Sequence, residues 1–354
     1  MDMNITLEDA LKRCPTKSLR EKVEASVKLL RKAERLALAY DKEDGYFLAF
    51  SGGKDSQVLF HIAQLSEVKF KAHMSLTTVD PPDVIRFVRK EYPEVEMIKP
   101  TISMFDNAVN RAMLPTMRIR WCCADYKEGT GAGKITLTGV RRTESTRRAK
   151  RNECEISGKH YSGSLEGLDD YRTQRNKRKT SKAVTIVNAK GEQTLGCIHG
   201  KETLIINPIL NYTEEEVWMF LNEVVRVPHC CLYDQGFSRI GCLLCPMSSP
   251  KQKLREIEMY PHMKRNWLRA IKKIRGGGAT QNESISQKRK RKPRPAFSKE
   301  VSSDRLNDTL DDEIAENVFD WWISGKGYKQ WYADKFLQLK IDFGDSVNKE
   351  ETSE

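Results

Sequence analysis

Between residues 5 and 40, apolar side chains recur at helical spacing (Leu19, Val23, Val27, Leu30, Ala33, Ala37), which predicts one or two helices ahead of the first strand. Tyr46 to Phe50 (YFLAF) is a short continuous apolar run soon followed by a glycine pair, and Gln57 to Leu65 resumes a helical period. The pattern reads as strand, tight turn, helix. Further strands are predicted at Phe70 to Leu76, Val95 to Ile98 and Lys134 to Val140 (KITLTGV), and Val84, Phe87 and Val88 line one face of a helix. Strands alternating with helices imply an α/β fold with a doubly wound, mostly parallel, Rossmann-like sheet, whose ligand site lies at the carboxyl ends of the strands. The glycine turn after Phe50 and the arginines after Val140 fall at that edge.

From about 150 to 205 the pattern weakens into a basic stretch, in which Ala183 to Asn188 and Thr203 to Ile206 flank Lys190-Gly191 and predict a hairpin insertion. Order returns at Thr213, where Thr-Glu-Glu-Glu makes a capping box with Glu216, and Val217, Phe220, Leu221 and Val224 follow on one helical face. Ser249-Pro250 opens another helix by a cap and a proline. Residues from the Gly276 to Gly278 triplet through KRKRKPRP lack the apolar content of a core, whereas Leu310, Ile314, Val318, Trp321 and Trp322 define an amphipathic helix stopped by Gly325. The expected organisation is a helical N-terminal extension (1–40) and a main domain (41–274) with an insertion at about 150–205 and a cysteine region at 230–250. A basic disordered linker (275–304) and a C-terminal helical segment (305–345) follow.

A chain of 354 residues, 39% apolar, can bury the core of one α/β domain with additions. It has no stretch of about 18 uncharged apolar residues, and its first 30 residues are charged and helical in pattern, so no membrane partner and a cytoplasmic location are expected. The net charge of +12 concentrates at Arg141 to Arg178 and at Lys288 to Arg294. Such blocks suit a polyanion, DNA or RNA, or else form a solvated surface and tail. Nine cysteines are too few for a disulfide scaffold in a chain of this length, which leaves buried thiols, metal ligands or nucleophiles.

Ser51-Gly52-Gly53-Lys54-Asp55-Ser56 sits between the first strand and a helix, so its backbone N–H groups and the helix N-terminus are aimed at whatever fills the turn. The two glycines admit close approach of an anion, Ser51 and Ser56 offer hydroxyls, Lys54 adds charge, and Asp55 holds the turn or helps position magnesium. The spacing is not that of a Walker loop. SGGKDS after an apolar strand resembles the PP-loop of ATP pyrophosphatases and of the phosphoadenylyl-sulfate (PAPS) reductase family, within the adenine nucleotide alpha-hydrolase superfamily. TTVDPPDVIRFV, with Asp80, is similar to that family's segment near the nucleotide, and GVRRTES (Gly139 to Ser145) to its arginine loop. The resemblance, over roughly residues 40 to 260, implies that the loop grips ATP, PAPS or adenylyl sulfate with Mg, and that Arg141 and Arg142 contact phosphate or sulfate.

Cys122-Cys123 and Cys242-Leu-Leu-Cys245 supply four thiolates, and their spacing is compatible with a 4Fe-4S cluster, with zinc, or with unligated core cysteines. The resemblance favours the cluster, because adjacent cysteines with a later CxxC mark the iron-sulfur sulfonucleotide reductases; it also aligns Lys127 with a lysine near that cluster. Cys230 or Cys231 is an alternative for Cys123 as a ligand. Those reductases carry a nucleophilic cysteine near the C-terminus in a Glu-Cys-Gly-Leu/Ile-His setting, whereas here Cys245 is the last cysteine, leaving Cys197, Cys230 or Cys231 as substitutes. The expected function is therefore that of the DNA-phosphorothioation ATP pyrophosphatase branch: adenylation at the α-phosphate in iron-sulfur-dependent sulfur transfer, with nucleic acid as a candidate acceptor and a sulfur donor as partner. The alternatives are a PAPS or adenylyl sulfate reductase served by a thioredoxin-like protein, and a nucleotide- or redox-sensing regulator without turnover.

Overall fold

The computed structural model describes residues 5–157, 161–168, 185–187, 193–195, 202–275 and 304–335. Much of the basic block after Arg151, the Lys190-Gly191 turn, Cys197 and the linker from Gly276 through Arg294 lie outside the described residues. The chain divides into two compact units, Met1–Pro100 with Cys123–Gly241, and Thr101–Cys122 with Cys242–Glu354. Among the described residues no helix is long and apolar enough to cross a membrane.

The first unit is built on β1 (Tyr46–Ala49), whose first three residues are buried, as a strand covered on both faces must be. It pairs in parallel with β2 (Phe70–Ser75) on one side and β4 (Ile135–Leu137) on the other, with Leu48 opposite Ala72 and Leu137. β3 (Glu96–Ile98) extends the parallel sheet beyond β2, and β9 (Leu204–Ile206) extends it beyond β4. Two short antiparallel strands, β5 (Cys154–Ile156) and β6 (Tyr161–Gly163), finish the edge, so that the described sheet has the order β3-β2-β1-β4-β9-β5-β6. Winding leaves β1 in one direction and resumes at β4 on its other side. The switch point thus lies between the carboxyl ends of β1 and β4, where open α/β sheets bind ligands.

One expectation is corrected. Thr203 to Ile206 does not return as an arm of the hairpin. β7 (Thr185–Val187) pairs instead with β8 (Gln193–Leu195) as a separate two-stranded ribbon, and Leu204 and Ile206 are fully buried as a parallel neighbour of β4. An apolar Leu-Ile-Ile run gains more from a place in the central sheet than in an isolated hairpin, which is marginal in water.

Helices cover the sheet. α1 (Leu7–Arg13) precedes α2 (Lys17–Tyr40), which Thr16 caps and which buries the apolar stripe from Leu19 to Ala37 against α3 (Lys54–Leu65), β1 and β4. The Tyr46 hydroxyl, deep under α2, donates to the Leu30 carbonyl at 2.7 Å. α4 (Pro82–Glu91) begins on a proline after the loop that follows β2. α7 (Glu214–Met219) carries the expected capping box between Thr213 and Glu216 and continues as a π-helical turn to Val225. Arg226, at φ 56°, ends it in the left-handed conformation.

In the second unit, α5 (Met104–Asn110), α8 (Pro250–Met259), α9 (Pro261–Arg275) and α10 (Asp304–Ser324) form a helical cluster. Trp267 is its centre, 4.9 Å from the Phe105 ring and 4.8 Å from that of Trp322. Trp322 donates its indole N–H to the Pro115 carbonyl at 2.6 Å. Gly325 follows α10 with φ 69°, the left-handed stop its position in the sequence suggested.

Candidate functional site

The turn between β1 and α3 gives the site its floor. Gly52 adopts φ 72°, and a Cβ there would stand 2.7 Å from Val84 and 2.8 Å from Val88 on α4, so only glycine fits. Gly53 is the N-cap of α3 and offers no capping side chain, so beyond the Lys54 N–H, which the Tyr233 hydroxyl takes at 2.9 Å, the helix N-terminus is open to an anion. Ser56 closes the turn on itself: its Oγ accepts from the Ser51 N–H at 3.2 Å and donates to the Gly53 carbonyl at 2.7 Å. Gly139, after β4, abuts the turn so closely that a Cβ would lie 2.9 Å from the Asp55 carbonyl oxygen.

Two buried cations converge here. Lys54 donates from Nζ to the Ser238 carbonyl at 2.8 Å and forms an ion pair with Glu214 at 3.1 Å. Arg141 donates from Nε to Asp55 and from Nη2 to Glu214, both at 2.6 Å. Its Nη1 reaches the Thr143 hydroxyl at 3.1 Å, and its backbone N–H is held by Glu144. Burial pushes the Asp55 carboxyl above its ordinary value against the opposing pull of Arg141 and Lys54. Burial acts likewise on Glu214, but the hydrogen bonds from Arg141 and Lys54 outweigh it and hold that carboxyl below its usual range. Two cations thus face two carboxylates, and the group is balanced as it stands.

A cavity of about 200 Å³ opens beside these groups, lined among others by Ser51, Asp55, Gly139, Arg148, Tyr233 and Arg239; Lys54, Arg141 and Glu214 stand behind its wall rather than in it. That volume suits the phosphates of a ligand rather than a whole nucleotide. A larger cavity of about 530 Å³ lies at the other end of α3, around Phe60, His61 and Tyr92. Burial lowers His61 there to about 4, and of the lysines and arginines only Arg226 lines it, so it does not suit a polyanion.

The structure brings Ser51, Gly52, Gly53, Lys54, Asp55, Ser56 and Arg141 together. It places Arg142 elsewhere in the same loop, donating from Nε to the Arg151 carbonyl at 3.3 Å and from Nη1 to Asn211. Asp80 closes its own loop, accepting from the Thr77 N–H at 2.6 Å and hydroxyl at 2.8 Å, and does not line the cavity. Within the first basic block, Arg148 pairs with Glu144 and Arg151 with Glu155, so part of that charge is internally compensated. Glu214 and Tyr233 were not among the residues singled out from the sequence. The signal for Glu214 was the acidic first turn behind Thr213; Tyr233 had none.

The cysteines are distributed differently. Cys122 and Cys123 stand on a short helix, α6 (Trp121–Cys123), that runs into a π-helical turn, Ala124–Glu128, bearing Lys127. Cys122, Cys123, Cys242 and Cys245 are all half-buried. Between the last two, Leu244 takes φ 54°, and its N–H is held by the buried Glu256 carboxylate at 2.6 Å. Cys230 is buried, which pushes its thiol up to about 11, and Cys231 is exposed. Four thiolates are the right chemistry for an iron-sulfur cluster. Yet among the described residues no group of three or more His, Cys, Asp or Glu side chains comes together to hold a metal ion.

An open helix N-terminus, a glycine turn and buried cations at the switch point of a parallel sheet define a phosphate-gripping α/β nucleotide-binding domain. The family model "Phosphoadenosine phosphosulfate reductase domain" matches residues 45–248, and the chain belongs to that family. An uncharacterized protein of Methanocaldococcus jannaschii is 26% identical over 237 residues, 64% of this chain and 47% of its own length. The chain thus spans about half the length of that relative. Among solved structures, the FMN adenylyltransferase of Candida glabrata is similar at TM-score 0.38 and 14% identity, over 68% of this chain and 73% of that one. The PAPS reductase of Candida auris, in a phosphate complex, gives 0.35 and 15%, over 61% and 93%. The U34-tRNA thiolase NcsA of Methanococcus maripaludis, with its [4Fe-4S] cluster, gives 0.33 and 15%, over 72% and 78%. At such TM-scores these likenesses carry no argument about mechanism.

Proposed function

We propose that this chain is a PP-loop enzyme that binds ATP and acts at its α-phosphate, adenylating an acceptor in a sulfur-transfer reaction. The observation that carries this reading is the convergence of Lys54 and Arg141 on the Ser51 to Ser56 turn at the open end of α3. A nucleophilic oxygen of the acceptor attacks the α-phosphorus, the bond from that phosphorus to the bridging oxygen breaks, and pyrophosphate leaves with the electron pair. A sulfur nucleophile then displaces AMP from the acceptor.

Each group has a physical part in the first step. The turn and the N-terminus of α3 hold the departing pyrophosphate, whose negative charge grows as the bond breaks. Lys54 and Arg141 are desolvated, so their fields act on that charge at low effective dielectric. Asp55 keeps the Arg141 fork in register, and Arg142 anchors the loop through Asn211. Magnesium arriving with the nucleotide supplies further neutralisation of the phosphates. Nucleic acid, held through the basic segments, is the proposed acceptor class. Cys122, Cys123, Cys242 and Cys245 belong to this reading as candidate iron ligands by their chemistry alone.

The test is pyrophosphate release from ATP by anaerobically purified protein, with iron and sulfide measured alongside, in wild type, Lys54→Ala and Cys242→Ser. Release that disappears in Lys54→Ala supports the reading; ATP bound without release sinks it and leaves a nucleotide-sensing role. A second reading follows from the family match: reduction of PAPS or adenylyl sulfate with a thioredoxin-like donor, which predicts sulfite as product.

A further inference from the structure

Tyr233 belongs to none of the sequence motifs of the site, yet it lines the small cavity together with Ser51, Asp55 and Arg239. Its hydroxyl oxygen accepts from the Lys54 backbone N–H at 2.9 Å, the first donor of the open α3 terminus. A hydroxyl that accepts one hydrogen bond still has its own proton to give. Among the described residues no protein group takes that proton.

The side chain is held in place from several directions. Its ring meets Trp218 edge-on at 5.0 Å and His229 at 6.1 Å, and the Lys54 ammonium sits 5.3 Å above its face. The backbone is locked as well, since the Tyr233 N–H donates to the Cys230 carbonyl at 3.0 Å and its own carbonyl accepts from Gly236 at 2.9 Å. The fit is close at the turn as well: a Cβ at Gly53 would stand 3.3 Å from the Tyr233 hydroxyl and would push it back by a few tenths of an ångström. Burial raises the phenol above its ordinary value, so the proton stays on oxygen at neutral pH.

We propose that Tyr233 is a ligand-binding residue that donates its hydroxyl proton to a phosphate oxygen of the nucleotide, passing the Lys54 N–H dipole on to the anion. The chain from amide to phenol to phosphate polarises each link, and the last bond, to a charged acceptor, is the strong one. The inference rests on the nucleotide reading above and adds to it a donor contributed from 179 positions further along the chain.

The test is calorimetric titration of the full chain with inorganic pyrophosphate and with ATP and magnesium, for wild type, Tyr233→Phe and Tyr233→Leu, with thermal melts of each. Tyr233→Phe keeps the ring contacts, so its melting temperature should stay within a few degrees while affinity for both ligands falls about tenfold or more, the loss expected of one hydrogen bond to a charged group. Tyr233→Leu, which also removes the ring under Lys54, should bind more weakly still. Equal or tighter binding by Tyr233→Phe overturns the inference and leaves the nucleotide reading standing, because it would mean that the hydroxyl merely plugs the helix end. Failure of wild type to bind either ligand overturns both.

Discussion

The Lys54 ammonium and the Glu214 carboxylate stand 3.1 Å apart at the mouth of the glycine turn, and the other Glu214 oxygen takes the inner edge of Arg141. One carboxylate thereby occupies both cations that a phosphate would need. A nucleotide has to win them from it, and Glu214, half-exposed at the start of α7, has more open space beside it than the less exposed Asp55.

Glu214→Gln keeps a hydrogen-bond acceptor for Arg141 and removes the competing charge. Affinity for inorganic pyrophosphate should rise about two- to fivefold, in line with the modest worth of a partly exposed ion pair. Calorimetry at two salt concentrations checks this: the gain should shrink as salt rises. A loss of affinity would mean that Glu214 serves the ligand rather than competing with it.

Arg141→Met should be far more damaging than its place in a loop suggests. The guanidinium is almost completely buried, and its removal leaves the half-buried Asp55 without its partner. A loss of about 3–5 kcal/mol is expected for breaking such a pair, read by urea denaturation. In the double variant Arg141→Met with Asp55→Asn much of that stability should return, while pyrophosphate binding does not.

Gly52→Ala combines a left-handed backbone with a clash against Val84 and Val88. It should cost about 1–3 kcal/mol of stability and abolish nucleotide binding. Adding Val84→Ala relieves the contact but not the backbone strain, so stability should recover only in part.

Glu216 predicts the acid limb of the stability curve. Burial would raise this carboxyl, but Lys22, the Thr213 N–H and Ser18 hold it below its ordinary value of 4.5. A carboxyl with a depressed folded-state pKa stabilises the fold at pH above its unfolded value, and that contribution is lost as pH falls through the lowered folded-state value. The melting temperature of wild type should therefore decline below about pH 4.5, its ordinary value. Glu216→Gln should start lower at neutral pH, by about 1.5–3 kcal/mol for a hydrogen bond to a charged group, and decline less steeply.

Much of the site could be read along the chain because its parts are local. YFLAF is buried on both faces, so it shows as an unbroken apolar run; Gly52 is demanded by a left-handed backbone packed against Val84 and Val88; and Arg141 lies in the short loop that leaves β4. The Thr213 capping box and the Gly325 stop are equally local, since both are hydrogen-bonding or backbone constraints within one turn of helix. Strands of three residues are another matter: β5 and β6 are too short to show a period, and which strand Leu204 to Ile206 would pair with is not a property of that segment alone.

What the sequence by itself determined is the strand, glycine turn and helix that make an anion site, and the presence of basic side chains to serve it. Only the tertiary structure decided which groups meet those side chains. It placed Glu214 between Lys54 and Arg141, turned Arg142 away to Asn211, and set the Tyr233 hydroxyl on the Lys54 N–H. The reason is physical: local periodicity reports burial and backbone geometry within a few residues, whereas the pairing of polar groups across 73 or 179 positions is fixed by how strands and loops are brought to one sheet edge.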